Sequence, residues 1–337
     1  MRTSSEKFTP SQPLFSARTL VVSGITWAVL ALLFFLLFSI PHSPDAELPL
    51  WYSIGTYIFE WIAFLAAAIL CFRNWKSTQI VSGRNVWLAI GIGMIGYFLG
   101  GVLFGLWELY WGLDPDVSLG DLFYATTYVA LTIGMVLAVS SRKLNLELWQ
   151  WGVLVAIALA GGAFAWWLSI PPNADLQQAV PPTPIEEVAP APTTAETPAA
   201  QAPPVAAEQE SSVPGYGVAK AIDNFLSPYS KYVGLFYVVM DVLLLILATA
   251  LLLAFWGGRF SQSWRMIAAA TFSLYIADMW FKYAESRVAD YQSGSLLEVF
   301  WVFSGVLFAI GAVLEYDIST RSRSRGRRRG GSSSSSD

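Results

Sequence analysis

Eight long apolar segments dominate this chain of 337 residues. Each has about 20 residues or more, which is the length that an α-helix needs to cross about 30 Å of hydrocarbon. The segments cover residues 19–40, 51–72, 86–111, 118–140, 148–170, 232–256, 264–287 and 295–315. Only 13% of the residues are charged, compared with about 25% in soluble domains. The sequence therefore predicts an all-α polytopic membrane protein with eight transmembrane helices.

The charges of the loops predict the orientation of these helices. Lys and Arg follow the second, fourth, sixth and eighth segments, at positions 73, 76, 84, 142, 143, 259, 265, 321, 323, 325, 327, 328 and 329. Loops 41–50, 112–117 and 171–219 contain none. Because cytoplasmic loops are rich in Lys and Arg, we expect both termini in the cytoplasm. Short cytoplasmic loops and a proline-rich external loop are typical of a bacterial plasma membrane. The first segment is too long for a cleaved signal peptide.

Two stretches of the chain are similar when the sequence is shifted by 177 positions, so that 87–137 aligns with 264–314 without a gap. The aligned pairs include Trp87 with Trp264, Glu108 with Glu285, Ser118 with Ser295, Asp121 with Glu298, and Ile133-Gly134 with Ile310-Gly311. A unit of four spans has both ends on one side, so its copies run in the same direction. We therefore expect two parallel four-helix repeats, 19–143 and 144–318, after a cytoplasmic segment at 1–18.

Two further segments have low-complexity composition. Residues 171–225 contain 11 of the 18 prolines, and such a segment is expected to stay extended and disordered. This external loop is either a solvated tether or a strap that docks a partner. The basic tail, 319–337, is expected to be disordered in the cytoplasm and to bind anionic lipid headgroups, at about 1 kcal/mol per Arg near the membrane surface. Nucleic acid is an unlikely partner because no aromatic residues lie between the arginines.

Acidic residues within the apolar segments are the candidates for function. Glu60 and Asp241 each lie about ten residues from the external end of a span, or about 15 Å deep. A carboxylate at that depth costs about 2.5–3.5 kcal/mol on insertion scales, so we expect both side chains to face the bundle interior. The full candidate intramembrane polar site comprises Glu60, Asp241, Asp278, Lys282, Glu108, Glu285, Asp121, Glu298 and Tyr275.

Asp121 and Glu298 each begin an apolar segment and stand three residues after a serine, Ser118 or Ser295. The spacing Ser-x-x-Asp or Ser-x-x-Glu is typical of a capping box, and the positive end of a helix favours an anion. The alternative is that both acids line an external vestibule that leads to Glu60 and Asp241.

The seventh segment is the most polar, with Tyr275, Asp278, Lys282 and Glu285 spaced three or four apart on one helix face. Asp278 and Lys282 can pair at i, i+4, either as a structural ion pair or as part of a site. The aligned third segment has glycines at 96, 100, 101 and 105 instead, which permit close helix packing. We expect the third and seventh segments to face each other across the axis that relates the repeats.

Several enzyme classes are disfavoured by the residues that are missing. The one histidine, His42, lies in a loop, and the one cysteine, Cys71, is expected to be a small buried hydrophobic residue. Ser-Leu-Gly-Asp at 118–121 departs from the Gly-x-Gly-Asp pattern of intramembrane aspartyl proteases. The spacing Asp278-x-x-x-Lys282 lacks the other features of microbial rhodopsins. We expect no catalytic residues, cofactor or metal.

The pattern at 107–137 has an aromatic-rich turn, then Ser-Leu-x-Asp-Leu-Phe-Tyr and a span with Ile-Gly, and it recurs near the end of the chain. It resembles the multi-span sensory regions found ahead of diguanylate cyclase and histidine kinase domains in bacteria. No cyclase or kinase motif follows Tyr316, so the resemblance implies a non-enzymatic, freestanding sensory or scaffolding module that acts through a separate signalling protein. The alternative is a small-solute or ion transporter with Glu60 and Asp241 at the repeat interface, although the Pro-Gln dipeptides of small sugar carriers are missing.

Overall fold

The computed structural model describes residues 16–40, 48–113, 117–140, 147–170, 213–255, 261–288 and 291–330. All regular structure in these ranges is helical, which confirms the all-α prediction. The α-helices are α1 (Ala17–Phe38), α2 (Leu50–Lys76), α3 (Arg84–Gly105), α4 (Gly120–Ser140), α5 (Leu148–Ser169), α6 (Tyr216–Leu226), α7 (Ser230–Ala254), α8 (Ser261–Arg287) and α9 (Val299–Gly330). His42, Arg142, Lys143, Arg259 and most of the loop 171–225 lie outside the described residues.

Seven helical stretches among the described residues are long and apolar enough to cross a membrane. They are α1, α2, α3 with the π-helix Leu106–Tyr110, α4, α5, the stretch Tyr216–Ala254 that contains α6 and α7, and the stretch Leu296–Arg321 that contains α9 as far as Arg321. Helix α8 also has 27 residues, but Arg265, Asp278 and Lys282 make it more polar. These helices are compatible with a multi-pass membrane protein.

Six of the helices pack side by side in a closed ring. Its order is α2, α3, α4, α7, α8 and α9, and α9 packs in turn on α2. Helix α1 lies outside the ring against α9 and α2, whereas α5 lies outside it against α7 and α8. Trp87 of α3 and Trp264 of α8 are fully buried and in contact, with ring centroids 6.2 Å apart. Cys71 is also fully buried, as expected.

Glycines on α3 allow its neighbours to approach closely. A Cβ at Gly96 would lie 2.9 Å from Thr127 Oγ1 of α4, and a Cβ at Gly105 would lie 3.2 Å from the Trp61 ring of α2. The smooth surface predicted for the third segment is therefore covered by α4 and α2 rather than by the polar face of α8. Helices α3 and α8 meet at the tryptophan pair instead.

Two segments that the composition predicts to be disordered contain helix. Residues 216–226 form α6, which overlaps the end of the expected loop 171–225 and lies in a stretch without proline between Pro214 and Pro228. In the expected disordered tail, α9 continues to Gly330, and Arg321 pairs with Asp317 at 2.9 Å, one turn earlier. Average composition over a long segment concealed these local helical stretches.

Candidate functional site: a buried carboxyl network

Asp241 and Asp278 belong to one buried network that joins four helices of the ring. Asp241 of α7 is only 3% exposed. The hydroxyl oxygen of Tyr128, on α4, lies 2.8 Å from Asp241 Oδ1 and 2.8 Å from Asp278 Oδ2 on α8. Trp301 of α9 donates its indole N–H to Asp278 Oδ1 at 2.7 Å. The network therefore connects α4 to α7, α8 and α9.

The two contacts of Tyr128 require a proton on one of the two aspartates. A phenol hydroxyl carries one hydrogen and can donate only one hydrogen bond. The second contact is a hydrogen bond only if that carboxyl group is protonated and donates to the phenol oxygen. The geometry thus fits a pair of carboxyl groups that shares one proton.

The neighbouring polar residues on α8 point in other directions. Tyr275 donates to the backbone carbonyl of Gly161 on α5 at 3.2 Å. The Nζ atom of Lys282 lies 3.5 Å from the position that a Cβ at Gly234 of α7 would occupy. Within the described residues Lys282 forms no ion pair with Asp278, so the i, i+4 pair does not form. Tyr275, Asp278 and Lys282 of the predicted stripe therefore face different neighbouring helices, which are α4, α5, α7 and α9.

Glu60 of α2 faces the same interior from the other half of the ring. Its carboxyl group interacts electrostatically with Asp278 and Glu298. Its Oε1 atom would lie 3.5 Å from a Cβ at Gly101, and the Trp61 Nε1 atom would lie 3.0 Å from it. Among the described residues, neither the Glu60 carboxyl group nor the buried Trp61 N–H has a hydrogen-bond partner. This part of the interior holds an acceptor and a donor that the protein itself does not satisfy.

Glu298 caps the helical segment that leads into α9. It accepts hydrogen bonds from the backbone N–H groups of Gly294 at 2.7 Å and Ser295 at 3.1 Å, and from the Ser295 hydroxyl at 3.0 Å. The capping box predicted from Ser-x-x-Glu is confirmed. The Tyr291 hydroxyl also donates to Glu298. Burial, and then the Glu298 charge, raise the pKa of Tyr291 well above its usual value, so the phenol stays protonated as a donor.

Asp121 has the corresponding position at the start of α4. It accepts from the backbone N–H of Ser118 at 2.7 Å and from the Ser118 hydroxyl at 3.2 Å. The Tyr237 hydroxyl of α7 donates to its other oxygen at 2.7 Å. Asp121 therefore combines a local cap with a contact between α4 and α7, and these hydrogen bonds occupy both of its oxygens.

Glu108 and Glu285 differ more from each other than the alignment suggests. Glu108 lies in the π-helix Leu106–Tyr110 and accepts a hydrogen bond from Tyr57 of α2. Glu285 is exposed, in the last turns of α8. The first residue contributes to helix packing, and the second lies outside the network.

The aromatic partners of the acids are the part of the site that the sequence analysis missed. Tyr128, Trp301, Tyr237, Tyr57 and Tyr291 each donate to, or share a proton with, one of the candidate carboxyl groups. Buried Tyr and Trp side chains generally need a hydrogen-bond partner. A tyrosine in the middle of an apolar span, such as Tyr128, was therefore a usable signal.

Replacing Trp301 by Phe should lower the free energy of unfolding by about 1–2 kcal/mol, because Asp278 would lose a buried donor. The matched control is Trp61→Phe, which removes an indole N–H that has no partner. We expect the Trp61→Phe control to leave the free energy of unfolding unchanged or to raise it slightly. Thermal unfolding in detergent, followed by tryptophan fluorescence, checks both variants. Equal midpoints for the two variants would show that the bond to Asp278 contributes nothing.

Comparison of the chain with protein-family models, curated proteins and solved structures gave no match.

Proposed function

We propose that this chain is a non-enzymatic integral membrane protein that senses or scaffolds through a partner protein. The observation that carries the proposal is the network of Tyr128, Asp241, Asp278 and Trp301. It lies inside the helical ring, joins helices that are distant in sequence, and has a geometry that fits a proton shared between two carboxyl groups. Such a network can bias the packing of the helices according to its protonation.

The same proposal includes eight transmembrane helices, with α8 crossing beside the seven apolar stretches. In the ring, α8 packs between α7 and α9, so its polar residues are accommodated by protein and need not face lipid. The positive charges in alternate loops support a cytoplasmic position for both termini.

Equivalent side-chain contacts support two parallel repeats. A Cβ at Gly134 of α4 would lie 3.0 Å from Ile90 Cγ1 of α3. A Cβ at Gly311 of α9 would lie 3.1 Å from Ile267 Cγ1 of α8. Both members of the second pair stand 177 positions after those of the first. The same shift that aligns the sequences therefore also relates two contacts in space.

The contact between Trp87 and Trp264 supports an axis through the ring. These residues are equivalent under the same shift, and their rings lie 6.2 Å apart. Equivalent residues can touch only where they are close to the axis that relates the two copies. The carboxyl network lies in the same interior, between helices of both repeats.

Helix α9 connects the carboxyl network to the end of the helical bundle. Trp301 lies in its first turn, and the helix continues to Gly330, which is about 40 Å further at 1.5 Å per residue. Loss of the shared proton would place two negative charges side by side. Their repulsion would displace Asp278, to which Trp301 is hydrogen-bonded. We propose that α9 then shifts, and that its basic C-terminal extension transmits the change to a partner or to anionic lipid.

Hydrogen exchange measured by mass spectrometry on the protein in nanodiscs tests this function. After correction for the pH dependence of intrinsic amide exchange, we expect the protection of residues 311–330 in the wild type to change with pH. In Asp241→Asn/Asp278→Asn, in which neither side chain can titrate, we expect no such change. Asp223→Asn on α6 is the matched control and should behave like the wild type. Wild-type protection of residues 311–330 that does not depend on pH would contradict the proposal.

Other titratable or charged groups also face the aspartates. They are Glu60 of α2, Tyr97 of α3, Tyr124 of α4, Tyr237 of α7, and Tyr275 and Lys282 of α8. A pH response that survives in Asp241→Asn/Asp278→Asn would assign the titration to one of these groups, and so overturn the role of the aspartate pair.

A second candidate function is transport of a cation or small solute, because the carboxyl group of Glu60 has no hydrogen-bond partner among the described residues. Such a carboxyl group, which interacts electrostatically with Asp278 and Glu298, can bind a proton or a cation. Flux into vesicles should then fall at least tenfold in Glu60→Gln/Asp241→Asn. Unchanged flux at every pH would end this alternative.

A further inference from the structure

The outer surface of the ring has a groove between α3 and α4. Its volume is about 610 Å³, and Phe236 of α7 also lines it. The lining is almost entirely apolar and includes Ile92, Leu122, Val129 and Ile133. These side chains are 38%, 67%, 46% and 49% exposed. The groove lies on the opposite side of α4 from the carboxyl network.

The corresponding surface of the second repeat is covered by a helix. A shift of 177 positions places Leu122 on Val299, Val129 on Val306 and Ile133 on Ile310. In this second set the exposed fractions are 2%, 5% and 7%. The difference arises because α1 packs against α9 at these residues. One groove of the pair is thus filled by a membrane-spanning helix, and its equivalent is not.

Helix α1 shows what fits such a groove. Its contact face carries Gly24, Ala28, Ala31 and Phe35, so that small residues allow its backbone to approach α9. A Cβ at Gly24 would lie 3.4 Å from both Val306 Cγ1 and Ile310 Cγ1. Close approach through small residues is a general mode of helix association in membranes.

The equivalent helix of the second repeat does not fill the groove. Helix α5 ends with Ser-Ile-Pro, as α1 does, yet it packs on α7 and α8. It buries Leu154, Gly161 and Ala165 there, which correspond to Gly24, Ala31 and Phe35 of α1 when the Ser-Ile-Pro sequences are aligned. Among the described residues, no helix therefore packs on α4 at Val129 and Ile133 in the way that α1 packs on α9 at Val306 and Ile310.

We propose that this groove, which we call the α3–α4 groove, binds a transmembrane helix of a partner protein. The inference rests on the proposed function, since it names the surface through which the module contacts its partner. The partner helix runs parallel to α1 and presents small residues about four apart to Val129 and Ile133. A second copy of this chain fits less well, because α1 and α5 already bury their small-residue faces. The outward face of α5 carries Trp149, Trp151 and Trp166.

Photo-crosslinking in the source cells tests the proposal. A photoreactive phenylalanine analogue replaces Val129 in the full-length protein, and a control places it at Ile25, on the lipid-facing side of α1. We expect the groove position alone to crosslink to an apolar, membrane-spanning peptide of another protein, identified by mass spectrometry. Crosslinks from Val129 only to lipid would overturn the proposal, as would crosslinks only to a second, differently tagged copy.

A groove-filling variant makes the test specific. Ile133→Trp should reduce the crosslink from Val129 at least tenfold, whereas Leu33→Trp on the exposed face of α1 should leave it unchanged. Thermal unfolding must show that both variants are folded. Equal crosslinking in the two variants would place the partner outside the groove and contradict the proposal. The pH response of 311–330 is measured separately, so a docking failure and a failure of the network are distinguishable.

Discussion

Tyr128→Phe should lower the free energy of unfolding by about 2–3 kcal/mol. The substitution removes one oxygen and keeps the ring, so packing against Phe236 and Tyr237 is retained. Asp241 and Asp278 lose the group that contacts both of them at 2.8 Å. A buried polar group without its partner costs about 1–3 kcal/mol, and more when it is charged. The contact of α4 with α7 and α8 should weaken as a result.

Thermal and denaturant unfolding in one detergent measure this effect. The matched control is Tyr232→Phe, because Tyr232 is 71% exposed at the surface of α7 and its substitution should change the free energy by less than about 0.5 kcal/mol. Asp278→Asn combined with Tyr128→Phe should cost less than the sum of the single changes, since the residues share one interaction. Equal stability of the Tyr128→Phe and Tyr232→Phe proteins would refute the bridging role.

Gly305→Leu should prevent α9 from closing the ring on α2. A Cβ at this position would lie 2.9 Å from Ala63 Cβ, 3.0 Å from the Ala63 carbonyl carbon and 3.1 Å from the Phe64 nitrogen. Two of these atoms belong to the backbone and cannot rotate away. Overpacking of this kind costs about 1–3 kcal/mol or more, and a leucine adds three further carbon atoms. We expect loss of most of the folded protein.

The control for this prediction is Gly162→Leu on α5. Nothing lies within 4 Å of a Cβ at Gly162, and a leucine in an apolar helix is favourable in the membrane. Size-exclusion chromatography and the recovery of folded protein compare the two variants. Similar recovery would mean that α9 and α2 are not in contact at Gly305.

The helices were predictable because insertion into a bilayer depends on local apolar length. The ends of α1 and α5, for example, follow from runs near 19–40 and 148–170. Glu298 was also predictable as a cap, since Ser295 stands three residues before it. The order of helices in the ring was not predictable. It depends on side-chain fit between distant segments, such as Gly305 against Ala63, which no short pattern encodes.

The acidic residues of the candidate site were predicted from the sequence, but their hydrogen-bond partners were not. Burial cost alone indicates that Asp241 must face protein, because an aspartate at that depth cannot face lipid. The choice of Tyr128 as its partner needs the contact of α4 with α7, which spans 113 positions of sequence. The expected pairing of Asp278 with Lys282 failed for a related reason. Tyr128 and Trp301 already reach Asp278, and Lys282 lies towards α7.

The most direct test of the account is infrared spectroscopy of the carboxyl groups in the protein reconstituted at neutral pH. The wild type should show a C=O stretching band of a protonated carboxyl group. That band should be absent from Asp241→Asn/Asp278→Asn, and it should shift in Tyr128→Phe. Equal intensity of the protonated-carboxyl band in the wild type and in Asp241→Asn/Asp278→Asn would contradict this conclusion. Neither aspartate would then carry the proton that is inferred from the two contacts of Tyr128.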